Sequence, residues 1–323
     1  MSNDPTASAH ELARAGRLNE AVAVLDSAGE RGDAGALAEL AAWHLRGDVI
    51  PRDLHRARAA LRRAVVIGHV DAALLEVALT ANGTGGARDW PGAVALLRTA
   101  AANDPVAAQH VALLDTMRID GNGYPLEVPP HETLSDDPVV VRFPEALSRA
   151  ECMHIAGAAH ASLEPGVVID PATGQTIAHP IRSSYGATIG PAQEDLVVGA
   201  LNRRLAAMTK TAVDNGEPLQ VLRYAPGQQY RLHSDALSGT TNQRVITAIA
   251  YLNHGFAGGE TDFPAIGVRV RPRAGDVLVF HNATPDGRIA PRARHAGLPV
   301  TSGVKWIATR WIRSAPYDAW TAN

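Results

Sequence analysis

"LQVLRYAPGQQYRLHSD", residues 219–235, reads as two strands joined by a turn at Pro226-Gly227. Residues two apart on a strand point to the same face, so His233 and Asp235 can present an imidazole and a carboxylate to one point. Taken alone, this H-x-D is more often two polar residues on a wet strand than a pair of metal ligands. What decides between them lies further along the chain.

His295 follows Asp235 by sixty residues, in "RARHAGLPV", and Lys305 lies ten further on, in "GVKWIATRW". Two histidines and one carboxylate form the facial triad of non-heme Fe(II) oxygenases, in which the open positions on the metal take a 2-oxo acid and dioxygen. The surrounding texture is that of strands. "LQVLRYA", "YRLHSD", "QRVITAIAYLN", "GVRVRP", "DVLVFHN" and "VKWIATRWIR" are alternating or continuously apolar, with Gly and Pro at the breaks. Two helices precede them: "SRAECMHIAGAA", with Ser148 as N-cap and Glu151 at the capping-box position, and "AQEDLVVGALNRRLAAMT", starting near Pro191. Six strands after two helices predict a sandwich or barrel with helices on one side, an α+β architecture.

The ordered stretches "ALSRAEC", "IRSSYGATI", "LQVLRYAPGQQYRLHSD", "QRVITAIAYLN", "FAGGETDFP", "RAGDVLVFHN" and "ARHAGLPVTSGVKWIATRWIR" resemble the catalytic domain of the 2-oxoglutarate- and Fe(II)-dependent dioxygenases, in the prolyl 4-hydroxylase branch. The resemblance implies a double-stranded β-helix, or jelly roll, with His233, Asp235 and His295 as iron ligands. It implies Lys305 as the partner of the distal carboxylate of 2-oxoglutarate, with Tyr224, Thr261 and Tyr251 beside it. The implied cofactors are Fe(II), 2-oxoglutarate and dioxygen, with ascorbate as a candidate accessory reductant. Halogenating relatives lack the carboxylate ligand; Asp235 is retained, which points to hydroxylation.

The same match assigns Tyr230, Arg244 and Arg313 to the substrate rim. Arg313 stands where the family carries a histidine, and Ala236 stands where an aromatic is usual. A changed rim implies a changed substrate, because pocket contacts set discrimination while the iron chemistry stays fixed. Lys305, Thr309 and Arg313 share parity on one strand, and an arginine at its end, a planar cation with several donors, would favour a carboxylate or an acidic peptide. His179, His254 and His281 lack the triad spacing and are read as surface or structural histidines, with His281 as a candidate for the pocket wall.

The N-terminal third differs. "GRLNEAVAVLDSA" from Gly16, "PRDLHRARAALRRA" from Pro51 and "ARDWPGAVALLRTA" from Ala87 align at a period of 36 residues, which superposes Ala21, Ala57 and Ala93, then Leu25, Leu61 and Leu97, then Ala28, Ala64 and Ala100. Between them, "GDAGALAELAAWHLRG" and "GHVDAALLEVALTANG" are amphipathic runs closed by glycine. Helix pairs at this period are the signature of a solenoid and resemble Sel1-like and tetratricopeptide repeats. The expected organisation is a helical repeat domain over 1–115, a linker over 116–137 rich in Pro, Gly and acidic residues, and the catalytic domain over 138–323.

Composition narrows the classes. Of 323 residues, 46% are hydrophobic and 20% charged, and the net charge is -3, so no basic excess speaks for nucleic acid. No apolar run reaches bilayer length and the N-terminus has no apolar leader core, from which the expectation is a cytoplasmic protein with no membrane partner. Cys152 is the sole cysteine and is expected in a core. The leading expectation is hydroxylation of a prolyl or other residue of a peptide or protein. The alternatives are a hydroxylase of a free amino acid or other small metabolite with the repeats serving dimerisation, and an inactive interaction module.

Overall fold

The computed structural model describes residues 4–169, 176–178, 181–284 and 287–321. His179 lies outside the described residues. The chain divides into two compact units, Met1–Gly123 with Pro191–Gly199, and Tyr124–Gly190 with Ala200–Asn323.

The first unit is built from α1 (Pro5–Arg14), α2 (Leu18–Glu30), α3 (Ala34–Arg46), α4 (Leu54–Ile67), α5 (Val70–Asn82), α6 (Trp90–Ala100) and α7 (Pro105–Leu114). Aspartates 4, 33, 53, 89 and 104 cap helix N-termini by accepting from backbone N–H groups two or three residues on. Gly47 and Gly83 leave α3 and α5 in the left-handed conformation, at φ 72° and 82°. The aligned repeat positions form the helix-pair interior: Ala21, Ala57 and Ala93, with Leu25, Leu61 and Leu97, are all buried. Small residues at these positions allow close helix approach, and each pair covers the apolar face of its neighbour.

The second unit contains α8 (Arg149–His160), the part of α9 (Leu196–Thr209) from Ala200 onward, and the strands. These are β1 (Glu132–Asp136), β2 (Val139–Phe143), β3 (Glu164–Pro165), β4 (Val167–Ile169), β5 (Thr176–Ala178), β6 (Tyr185–Ile189), β7 (Leu219–Tyr224), β8 (Tyr230–His233), β9 (Arg244–Tyr251), β10 (Ala257–Gly258), β11 (Thr261–Phe263), β12 (Val268–Val270), β13 (Val277–His281), β14 (His295–Gly297), β15 (Val300–Ser302) and β16 (Lys305–Arg313). The large sheet is antiparallel in the order β1-β2-β13-β9-β16-β7-β6-β3, and a smaller one runs β12-β11-β14-β8. Between them sits a core of Leu222, Ile249, Phe263, Val270, Phe280 and Ile307, to which both sheets contribute. This is the jelly roll that the motif order implies. On the other side α8 packs against β6, β7 and β16, opened by the expected Ser148–Glu151 capping box. Cys152 is buried there, and burial raises its thiol to about 11, so it behaves as a small core side chain.

Part of the expected linker is instead a strand. β1 pairs with β2 at the edge of the large sheet, and its "ETLSD" is mostly exposed. An edge strand with a wet face needs no apolar alternation, so nothing in its composition separates it from a loop.

Candidate active site

The Pro226-Gly227 turn sets β8 beyond β7, and β8 delivers His233 opposite His295 of β14 in direct cross-strand register. Asp235 follows two residues after His233, and all three side chains are buried. Each has a ligand atom within 4.8 Å of the others. His233 Nε2 lies 3.4 Å from Asp235 Oδ1, and His295 Nε2 lies 3.7 Å from Asp235 Oδ2.

The outward nitrogens are taken: Nδ1 of His233 is 2.8 Å from the Arg231 carbonyl, and Nδ1 of His295 is 3.2 Å from that of Ala293. In the neutral ring each Nδ1–H donates outward, which leaves an Nε2 lone pair facing the carboxylate. Burial lowers His295 to about 4 against the pull of Asp235, so this ring is neutral at neutral pH. Burial also opposes ionisation of Asp235, but the two facing histidines and the Thr247 hydroxyl outweigh it and hold the carboxyl below its usual range. Two imidazole nitrogens and a carboxylate thus converge on one buried point, and a divalent cation of the borderline class can take all three, so the donor set fits Fe(II).

Aromatic rings brace the ligands. Tyr230 stacks on His233 with ring centroids 3.5 Å apart, and Phe263 and Phe280 flank His295 at 5.4 and 4.5 Å. The triad opens into a cavity whose enclosed space, solvent at its mouth included, is about 410 Å³. Lys305, Tyr224 and Thr261 line it. Lys305 stands directly across from Tyr224 in the β16–β7 pairing, fully buried, and Nζ donates to the Gly259 carbonyl at 2.6 Å. Burial lowers this lysine to about 8, with Glu260 opposing. The ammonium lies 5.4 Å from the Tyr224 ring centroid and 5.8 Å from that of Tyr251. Tyr251 hydrogen-bonds Thr261 at 2.8 Å and so supports the wall from behind.

Both rim arginines are held by groups of the protein itself, whereas the sequence offers Arg313 as a cation for a substrate carboxylate. Arg244 donates to both oxygens of Glu217, at 2.5 and 2.7 Å, and Arg313 donates to the same carboxylate at 2.6 Å and to the Asn242 carbonyl. Their carboxylate partner is thus internal. The register of β9 and β16 shifts between Ile312 and Arg313, which puts the two arginines opposite each other. His281 is half-buried and is not among the residues lining the cavity.

Besides Glu217, three residues escape the sequence reading. Trp311 lines the cavity, carries the Arg244 guanidinium 4.0 Å from its ring, and has a buried indole N–H without a partner in the structure. Its parity with Lys305 and Thr309 on β16 is the signal that could have found it. Thr247 and Asn282 are the others: Thr247 donates to Asp235 Oδ2 at 2.6 Å and accepts from Asn282 at 2.7 Å.

The cavity, the triad and the buried lysine fit a non-heme iron oxygenase site. Residues 219–313 match the model of the 2OG-Fe(II) oxygenase superfamily. The chain is 33% identical over 201 residues to prolyl 4-hydroxylase 1 of Arabidopsis thaliana, covering 56% of this chain and 71% of that protein. It is also 33% identical over 205 residues to prolyl 4-hydroxylase 5 of the same organism, covering 56% and 70%. Among solved structures, the viral collagen prolyl hydroxylase of Paramecium Bursaria Chlorella virus-1, in a 2OG complex, aligns with a TM-score of 0.46 and 29% identity over 56% of this chain and 99% of that one. The chain belongs to the 2-oxoglutarate- and Fe(II)-dependent oxygenases, and within them it is a homologue of the prolyl 4-hydroxylases. Among the described residues, no helix is long and apolar enough to cross a membrane.

Proposed function

We propose that this enzyme hydroxylates a prolyl residue of a peptide or protein, converting 2-oxoglutarate and dioxygen to succinate and carbon dioxide as one oxygen atom enters the substrate. The observation that carries the reading is a single cavity holding a converging His233–Asp235–His295 donor set and a buried lysine, Lys305, whose hydrogen bond goes to a carbonyl rather than a carboxylate. In this reading the three donors hold Fe(II), which supplies the oxidising power when bound with the 2-oxo acid. Lys305 holds the distal carboxylate of 2-oxoglutarate, with Tyr224 and Thr261 as hydroxyl partners and Tyr251 fixing Thr261. A buried ammonium facing a carboxylate where water is excluded is a strong pairing.

Tyr230, flat against His233, forms the floor on which the substrate ring rests. Trp311 offers its unpartnered N–H to a substrate carbonyl. Arg244 and Arg313 act through Glu217, fixing the Trp311 end of the cavity rather than meeting a substrate carboxylate directly. The helical repeats are read as a surface for the protein substrate or for a second copy.

The test is incubation with Fe(II), ascorbate, 2-oxoglutarate and proline-containing peptides, scored by a one-oxygen mass gain matched to succinate. If peptides give no more succinate than the enzyme without substrate, while a free amino acid or other small metabolite gains oxygen, the small-molecule reading replaces this one. Removal of residues 1–115 separates the roles of the repeats: a repeat-held substrate loses affinity, whereas a substrate seated only in the cavity is turned over as before.

A further inference from the structure

Asp235 has two oxygens, and a metal that took both would lose one of the positions a bidentate 2-oxo acid and dioxygen need. The structure treats the two oxygens unequally. Oδ2 accepts the Thr247 hydroxyl at 2.6 Å, and the Thr247 oxygen accepts in turn from Asn282 Nδ2 at 2.7 Å. Thr247 has no exposed surface and Asn282 is 1% exposed, so water does not compete for either group.

The direction of this chain is fixed by proton counting. A hydroxyl has one proton. If Asn282 presented its carbonyl oxygen, Thr247 would give that proton to Asn282 and turn a lone pair toward a buried carboxylate. With the amide donating, the proton is committed to Asp235. Asn282 is itself pinned, since its backbone N–H donates to Val245 and its carbonyl accepts from Ala290. Thr247 sits mid-strand on β9 between Phe280 of β13 and Trp311 of β16, where the ladder holds its backbone.

We propose that Thr247 and Asn282 are positioning residues that hold Asp235 as a one-oxygen ligand, occupying Oδ2 so that Oδ1 serves the metal. The inference rests on the iron-site reading above. A partner that orients a metal ligand in this way changes metal affinity by about 10- to 100-fold when removed. Thr247→Val keeps the side-chain shape and deletes the hydroxyl; Thr247→Ser restores it.

The experiment titrates the full-length, metal-free protein with Mn(II) alone, and records the visible spectrum of its Co(II) form, which reports coordination number. The expected result is a Mn(II) Kd raised about 10- to 100-fold in Thr247→Val and raised less in Asn282→Ala, with a changed Co(II) spectrum in both and wild-type behaviour in Thr247→Ser. Folded Thr247→Val with an unchanged Kd and spectrum overturns the proposal. If Thr247→Val does not fold, Asn282→Ala carries the same test, and failure of both to fold makes the pair a structural core element, which also overturns it. A wild-type protein that takes up no Mn(II), or a folded His233→Ala protein that takes up as much as wild type, sinks the iron-site reading instead.

Discussion

Two regions of this chain bury charge, and they do it in opposite ways. In the repeat unit, Arg58 and Glu76 are both buried, and the guanidinium makes five hydrogen bonds: to both oxygens of Glu76, to the Thr80 hydroxyl, and to the Leu79 and Thr84 carbonyls. All five of its N–H donors are thereby matched. In the oxygenase unit, the two imidazole Nε2 atoms stand 3.4 and 3.7 Å from the carboxylate of Asp235, too far apart to saturate it, and Lys305 has a carbonyl for its partner. A saturated buried network is a staple between helices; an unsaturated one waits for a ligand.

The largest effect that sharpens this contrast is loss of a proposed ligand residue. His233→Ala and Asp235→Ala are expected to abolish succinate-coupled hydroxylation and metal uptake while lowering the thermal midpoint of the metal-free protein far less than loss of the Arg58 staple does, because a site kept open for a ligand does not tie elements together. A fall in stability as large as the fall in function would break the contrast.

Next is the staple. Arg58→Ala leaves Glu76 buried with only the exposed Arg62 and the Thr80 hydroxyl as side-chain partners, and is expected to destabilise the repeat unit by about 3–5 kcal/mol. Replacing both residues with apolar ones, Arg58→Met with Glu76→Leu, should recover most of that loss. Hydrogen exchange over α4 and α5 reads the effect, and 2-oxoglutarate binding in the other unit should not change.

How much of this was legible follows from how local each pattern is. His233 and Asp235 show in the sequence because strand parity is a two-residue rule, His295 because it completes a known donor set with them, and Lys305 because the family resemblance carries it. The repeat interior shows because Ala21, Ala57 and Ala93 recur at one period. Thr247 and Asn282 do not show. They are neutral residues on apolar strands, 12 residues from Asp235 and 35 from each other respectively, and only the sheet order brings them together. Glu217 is hidden for the same reason: it precedes β7 in "NGEPL", while its arginines lie 27 and 96 residues away. Arg313 on sequence parity points to a cation for a substrate carboxylate, and the register shift before it is invisible without the paired strand.

A third effect is smaller. Lys305→Ala should raise the 2-oxoglutarate Kd of the Mn(II)-loaded enzyme about 10- to 100-fold, since a hydrogen bond to a charged group is worth about 1.5–3 kcal/mol. The Mn(II) affinity should stay within about twofold, because Lys305 is not a ligand atom of the triad. Equal losses in both affinities would mean that Lys305 holds the cavity wall together rather than the cosubstrate.

The smallest effect is a pH dependence that follows from the same buried lysine. Its folded value of about 8 lies below the ordinary 10.5, so folding disfavours the charged form. The resulting penalty is present in full below about pH 8 and fades as pH rises toward 10.5, where the unfolded chain also loses the proton. In the proposed role, the cosubstrate carboxylate meets the ammonium form. As pH goes from 7 to 9 the charged fraction in the cosubstrate-free enzyme falls about tenfold, and the 2-oxoglutarate Kd should rise by about the same factor. Bound carboxylate offsets the burial penalty, so the stabilisation that 2-oxoglutarate confers on the Mn(II)-loaded enzyme should be greater at pH 7 than at pH 9. Thermal shift measured at both values checks this directly. Lys305→Arg supplies the control, because a guanidinium keeps its charge across this range: if its cosubstrate affinity declines between pH 7 and 9 as steeply as the wild type's, another group carries the titration and Lys305 is not the cation that meets the carboxylate.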